Sequence, residues 1–405
     1  MRVEDEIEDV PQTVLVPEYK TVDWTLLTLL VALTGFGLVM VFSASIAQAD
    51  RVLDNPFHYW HNQLMYIGLG CVAGYVAWMV PLRHLERFGP ALVCFMLLML
   101  LIVLIPGVGK TVNGSQRWLQ VGISVQPSEA FKLALIIYLA GYLVRKGAGL
   151  KNSFSVFLNP LLVAALGGLL LMLEPDFGAT VVVVSTVIAM MFVAGARLSH
   201  LLLMAGLLAP LAAVLVVTSP YRFARLLSFM RPWEDPFNSG FQLTQSLIAI
   251  GRGAWTGVGL GNSVQKMAYL PEAHTDFVFA VLAEETGFVG VCVVIGLFAA
   301  IIYRCFRISA MAERASNPFG AHLALGIGFW IGVQAFINIG ANTGVLPTKG
   351  ITLPLFSYGG SSAVIMCITC GILLRVFRES AEIQARDSVR DVEQRLVYGN
   401  PATAS

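Results

Sequence analysis

The segment PEAHTDFVFAVLAEETG, residues 271–287, carries Glu272, His274, Asp276, Glu284 and Glu285 from a polar turn into an apolar run. An acid at the centre of a bilayer helix costs roughly 2.5–3.5 kcal/mol on insertion scales, so ionisable groups in such a stretch are expected to have a use. Carboxylates offer two. One is proton transfer with a hydroxyl held within hydrogen-bond reach; the other is pairing with a cation. Asp276 stands just before the apolar run, where Asp also favours plain helix capping, although Thr275 could cap in its place. Glu284 lies eight residues further on, near the same helical face and about 12 Å deeper, while Glu285 points about 100° away. One arrangement that fits is an acid at a membrane rim, with Glu284 hydrogen-bonded beneath it or completing a polar channel.

Other ionisable residues have suggestive spacing. Glu129 and Lys132 follow Pro127, which suits a first helical turn, and three-residue spacing puts them on one face. They are either a structural ion pair at the membrane edge or part of a polar cavity. Glu174 and Asp176 flank Pro175 in a short turn. In LPLFSYGGSSA, Pro354, Gly359 and Gly360 interrupt an apolar run ahead of Ser361 and Ser362, with Lys349 at its mouth. Broken helices at membrane depth are tolerated where they are buried in protein or line a wet cavity. PGVGKT (106–111) lacks the first glycine of a phosphate loop, since Leu104 stands there, and GVGLG (257–261) lacks dinucleotide-binding spacing. His58 and His61 in HYWH suit an aromatic interface belt better than a metal pair. Cys367 and Cys370 have CxxC spacing inside an apolar run, where buried Cys acts as a small hydrophobe.

These residues must be positioned by membrane helices. The chain is 405 residues long, 57% hydrophobic and 13% charged, and apolar runs of about 18–25 residues recur throughout, each long enough to cross a bilayer. The expected fold is all-α and polytopic, with about ten transmembrane helices: roughly 24–45, 63–80, 90–106, 127–144, 155–173, 179–195, 199–218, 277–303, 320–342 and 352–374. One large loop, about 219–275, separates spans seven and eight, and YRFARLLSFM within it reads as an interfacial amphipathic helix presenting Arg222 and Arg225. Residues 1–22 form an acidic tail unlike a cleavable signal, residues 23–378 the membrane domain, and 379–405 a C-terminal tail. One set of short loops carries Arg83, Arg87, Arg145, Lys146, Lys151, Arg197, Arg304, Arg307 and Arg314, with Arg375 and Arg378 after the last span. The positive-inside rule then puts both termini in the cytoplasm. Segments 110–132, 174–180, 347–363 and the large loop open on the outer side, which argues against ATP-driven or cytosolic-substrate chemistry. No basic tract suggests nucleic acid.

GSQRWL (114–119), QPSEAFK (126–132), EPDFGAT (174–180), GLGNSVQKMAYLPEAHTDFVFAVLAEETG (259–287) and PTKGITLPLFSYGGSS (347–362) together resemble the SEDS family (shape, elongation, division, sporulation), polytopic peptidoglycan glycosyltransferases. The resemblance spans the whole membrane region. Ala273 in YLPEAHTDF and the acidic N-terminus are similar to the division-site branch; the rod-elongation branch tends to carry a basic residue at that position. By this resemblance Asp276 is the catalytic acid, Glu129 and Lys132 are the family's paired residues, and Arg117, Glu174, Lys349 and Ser361 line an outward cavity that binds substrate.

The implied reaction joins a sugar 4-hydroxyl of one lipid II molecule to the anomeric carbon of a growing chain, releasing undecaprenyl pyrophosphate. A hydroxyl nucleophile needs a base, inversion places that base opposite the leaving group, and fixed cations stabilise the departing pyrophosphate. Asp276 would be the base; Arg117, Lys132 and Lys349 the cations; and the chemistry has room for a divalent cation, Mg or Mn. The implied partners are a class B penicillin-binding transpeptidase, other division proteins and membrane lipid, at the septal cytoplasmic (inner) membrane. Two other functions stay open. A lipid II flippase would also use polar residues inside spans, but the unusual residues cluster on one side and no inverted repeat is visible. A non-catalytic division scaffold would leave Asp276 unexplained.

Overall fold

The computed structural model describes residues 21–112, 115–121, 123–151, 153–238, 240–267, 270–348 and 350–398. Its elements in chain order are α1 (Trp24–Leu53), α2 (His58–Met79), α3 (Leu82–Val103), β1 (Gly109–Val112), β2 (Ser115–Val121), β3 (Ile123–Val125), α4 (Pro127–Lys146), α5 (Phe154–Leu173), α6 (Phe177–Val193), α7 (Leu198–Val217), α8 (Pro220–Met230), α9 (Phe241–Gly253), α10 (Val278–Arg314), α11 (Pro318–Asn342) and α12 (Gly360–Tyr398). Each of the ten expected spans coincides with a helix: α1 to α7 and α10 to α12. Seven of them are long and apolar enough to cross a membrane by length and composition: α1, α3, α4, α5, α10, α11 and α12. The acidic tail lies in residues outside the description up to residue 20. The segment expected as a C-terminal tail continues α12 as helix to Tyr398.

The burial pattern follows from a lipid-facing exterior. α4 is buried on nearly all sides, and α11 contributes Trp330 to the innermost core. Peripheral helices expose large apolar side chains such as Leu69, Val72, Leu98, Leu166 and Leu169, an apolar surface far larger than soluble monomers show. α2 and α12 approach closely enough that a Cβ on Gly74 would meet the Cys367 carbonyl at 2.5 Å. Small residues allow this in membranes, where packing rather than the hydrophobic effect drives helix association. The CxxC cysteine thus serves the α2–α12 seam.

Three features were not anticipated. Gly109–Val112, Ser115–Val121 and Ile123–Val125 form an antiparallel sheet, β1-β2-β3, pairing Lys110 with Trp118 and Leu119 with Val125. The helical membrane fold stands, and this small sheet is added to one end of it. The large loop contains a second helix, α9, packed on α10 and α11; α8 forms where the amphipathic helix was expected, and the Arg222 and Arg225 side chains lie outside the description. Finally, α10 breaks at Gly287, with φ 65° and ψ −163°, a conformation suited to glycine. The chain after α9 fills the break. Val258 and Gly259 donate to the carbonyls of Glu284 and Glu285, and Phe288 donates to that of Ala254. Gly257 (φ 77°) has no room for a side chain, since a Cβ there would lie 2.2 Å from the Glu285 carbonyl oxygen.

Candidate active site

Asp276 is half-buried at the lip of α10. The helix N-cap is Phe277, and no side chain caps it, so capping does not account for Asp276. Its backbone carbonyl accepts hydrogen bonds from Asn338 Nδ2 and Asn342 Nδ2, each at 3.0 Å. Asn338 Nδ2 also donates to the Ile351 carbonyl at 2.6 Å, which brings the 350–359 segment alongside. Gly350 leaves space there: a Cβ on it would stand 3.1 Å from Asp276 Oδ2. One α11 turn away, Gln334 Nε2 donates to the Thr352 carbonyl at 3.0 Å. Gln334, Asn338 and Asn342 therefore form an amide ladder at i, i+4, i+8, a spacing that shares one helix face, and they position the Asp276 lip. Three such amides in one apolar helix are a readable signal in the sequence, unused above.

The same ladder reaches the ion pair of α4. Lys132 Nζ donates to Glu129 Oε1 at 2.8 Å and to Gln334 Oε1 at 2.9 Å, and it sits 5.3 Å from the Trp330 ring centroid. Trp330 Nε1 also donates to Gln334 Oε1, and the Ser362 hydroxyl donates to Glu129 Oε2 at 3.3 Å. Lys132 is only 3% exposed, so this pair is sealed and its charges are internally balanced.

A second cluster joins β2, the α5–α6 turn and the start of α12. Arg117 donates from Nε to the Glu174 carbonyl at 3.0 Å and from Nη2 to the Pro175 carbonyl, with Asp176 Oδ2 3.9 Å from Nη1. Asp176 caps α6 through the Ala179 N–H. Gln126 N–H donates to Ser361 Oγ at 3.2 Å. Gly178 meets Ile351, so this turn lies beside the segment next to Asp276. Glu174 is fully buried, with neither carboxyl oxygen hydrogen-bonded. Burial above all, then the charge of Asp176, pushes its pKa up to about 8 against the opposing pull of Arg117, so it is largely protonated near neutral pH. His274 is buried against Tyr59, at 4.5 Å between ring centroids, and Tyr358. Burial lowers its pKa despite Glu272, which favours the neutral ring.

Glu284 and Glu285 do not belong to this site. Glu285 accepts from Lys266 Nζ at 2.8 Å and from Ser43 Oγ at 2.7 Å. Glu284 accepts from Arg252 at 3.2 Å, from the Val264 N–H and from the Ser263 hydroxyl. Both fasten the large loop to α10 instead of extending a channel below Asp276. Of the expected site residues, Asp276, Glu129, Lys132, Arg117, Glu174 and Ser361 gather at one end of the bundle, and Lys349 lies outside the described residues. Glu174 and Asp176 form a carboxylate pair, but Arg117 is already beside Asp176. Among the described residues no group of three His, Cys, Asp or Glu side chains converges as a metal site.

Residues 23–382 match the family described as cell cycle protein, of the FtsW, RodA and SpoVE type. The chain belongs to that family. It is 53% identical over 352 residues to a probable peptidoglycan glycosyltransferase FtsW of Thioalkalivibrio sulfidiphilus, covering 87% of this chain and 88% of the relative. It is 54% identical over 359 residues to the same-named protein of Nitrosococcus halophilus, covering 88% and 92%. Among solved structures, a chain from a peptidoglycan synthase complex that coordinates polymerization and crosslinking superposes with a TM-score of 0.71 at 30% identity, covering 89% of this chain and 98% of that one. The rod shape determining protein RodA of Thermus thermophilus superposes with 0.65 at 29% identity, covering 88% and 97%. A SEDS-type, multi-pass helical membrane protein is the result.

Proposed function

We propose that this chain is a peptidoglycan glycosyltransferase that polymerises lipid II during cell division, with Asp276 as the base that takes the proton from the attacking sugar 4-hydroxyl. The observation that carries this is the placement of Asp276: it is half-open at the entry of α10 and held through its backbone carbonyl by Asn338 and Asn342, whereas Glu284 and Glu285 are buried deeper in the same helix. Anchoring of its backbone carbonyl by two amides fixes where Asp276 stands at the rim, the positioning that a general base requires. Attack on the anomeric carbon inverts its configuration and expels undecaprenyl pyrophosphate. The developing charge is met by Arg117, about a quarter exposed at the cavity edge, and by Lys349. Glu129 and Lys132 act from beneath by holding Gln334, which holds Thr352; Ser361 accepts from the Gln126 N–H, and Glu174 is sealed behind Arg117 instead of lining the approach.

The excess of Lys and Arg in one set of short loops supports cytoplasmic termini for a ten-span chain, and this site then faces outward from the inner membrane, on the side where lipid-anchored substrates are presented. A class B penicillin-binding transpeptidase fits as partner, because the solved complex similar to this chain couples polymerization to crosslinking. The test is purified protein given lipid II. Glycan strands from the wild type and none from Asp276→Asn support polymerisation. Transport of lipid II across vesicles without polymer would favour a flippase and overturn the proposal.

A further inference from the structure

At the end of the bundle away from Asp276, α10 and α12 enclose a cavity of about 380 Å³. Arg304, Arg307, Met311 and Arg314 supply one wall, and Phe377 and Gln384 close it from α12. The α10 residues are spaced three, four and three apart, which keeps them on one face. Arg304 pairs with Asp23 at 2.6 Å. Arg307 Nη1 donates to the Tyr303 hydroxyl at 3.1 Å. Among the described residues, neither Arg307 nor Arg314 forms an ion pair with a carboxylate. Three guanidinium groups thus share one contacting carboxylate, an excess of positive charge around a partly apolar hollow.

The location narrows the ligand. Tyr303 is 60% exposed, following the exposed apolar Val293 and Ile295 on the same helix. This is the position at which an aromatic anchor meets the headgroup layer. Arg307 lies one turn beyond it, at headgroup depth, and guanidinium groups bind phosphate oxygens in a fork geometry. Met311 and Phe377 offer an apolar flank beside that charge. Basic pockets between membrane helices of this kind hold acidic lipid headgroups.

We propose that this cavity binds the phosphate headgroup of an anionic phospholipid, with Arg307 and Arg314 on the phosphate and Met311 and Phe377 against the glycerol end. The site is independent of the catalytic proposal and remote from Asp276. The same chemistry could recruit free phosphate, or the chain's own acidic residues Glu4, Asp5, Glu6, Glu8 and Asp9, which precede Asp23.

The experiment uses full-length protein purified in a neutral detergent, titrated with phosphatidylglycerol or phosphatidylcholine and read by native mass spectrometry. Wild type should retain phosphatidylglycerol preferentially, and R307Q/R314Q should lose at least tenfold in affinity. R83Q/R87Q, which removes two exposed charges near the same end of the bundle, should bind like wild type. Matched elution profiles and melting temperatures establish that the variants are folded. Equal retention by wild type and R307Q/R314Q overturns the proposal, as does an equal loss in R83Q/R87Q. Displacement of the lipid by millimolar inorganic phosphate assigns the site to free phosphate and overturns it too. So does lipid binding that appears only when the five acidic tail residues are changed to amides.

Discussion

Asp276 stands just before α10 and Glu284 eight residues further on within it, in opposite surroundings. Glu284 is sealed, with Arg252, Ser263 and two loop N–H groups around it, and its neighbour Glu285 is closed off by Lys266 and Ser43. Asp276 is half-open, beside a glycine and a segment of irregular backbone. An acid inside a membrane fold is therefore not by itself a mark of chemistry. The two buried acids hold the large loop in place, and that loop delivers the half-open one to the rim.

The largest expected effect breaks the comparison if it is wrong. Asp276→Asn should lower the polymerisation rate by at least about 10²-fold, the scale of a positioned base, with the melting temperature unchanged. Glu285→Ala should do the reverse. Removing one partner of a buried pair costs about 3–5 kcal/mol because the other charge is stranded, so Lys266 should pull the melting temperature down by several degrees while each folded molecule retains its rate. A double variant, Lys266→Met with Glu285→Leu, should recover much of that loss, since neither charge is then left alone. If Glu285→Ala abolished the rate of the folded fraction, the loop acids would belong to the site after all.

Asn338→Leu sharpens the same contrast at intermediate size. It removes the donor shared between the Asp276 and Ile351 carbonyls, and leaving buried acceptors unsatisfied costs about 1–3 kcal/mol. Turnover should fall further than the lost stability explains, because the Asp276 carbonyl then loses one of its two amide donors. A turnover that tracked the folded fraction and nothing else would mean that the amide ladder is packing, not positioning.

The helices and the acidic lip were legible because their signals are local. Apolar runs, the excess of cationic loop residues, and the spacing of Glu129 with Lys132 and of Glu174 with Asp176 all lie within a few residues. What was missed depends on distant partners. Nothing near Glu284 announces Arg252 or Ser263, so its role in a loop clamp could not be separated from a channel beneath Asp276. The break at Gly287 looks like an ordinary glycine in a span until the 254–259 backbone is seen filling it. The β1-β2-β3 sheet is a different kind of miss: VNGS between alternating residues is a hairpin signal, eclipsed by the hydropathy on either side.

The smallest effect concerns a buried acid of a different kind. Glu174 is as buried as Glu284 but lacks its hydrogen bonds, and its folded pKa of about 8 stands above the ordinary carboxylate value of 4.5. Between those two values the folded state holds more protons than the unfolded one, so stability is fully present below that window and falls as pH rises through it. Gln mimics the neutral acid. Glu174→Gln should therefore match wild type in melting temperature near pH 5 and exceed it by a few degrees at pH 9, with the difference growing across the interval. Glu284→Gln should show no such gain at any pH, because its carboxylate already has donors that an amide cannot use equally. A Glu174→Gln protein less stable than wild type at pH 9 would mean that the carboxylate is charged and partnered, and the two buried acids would then be of one kind.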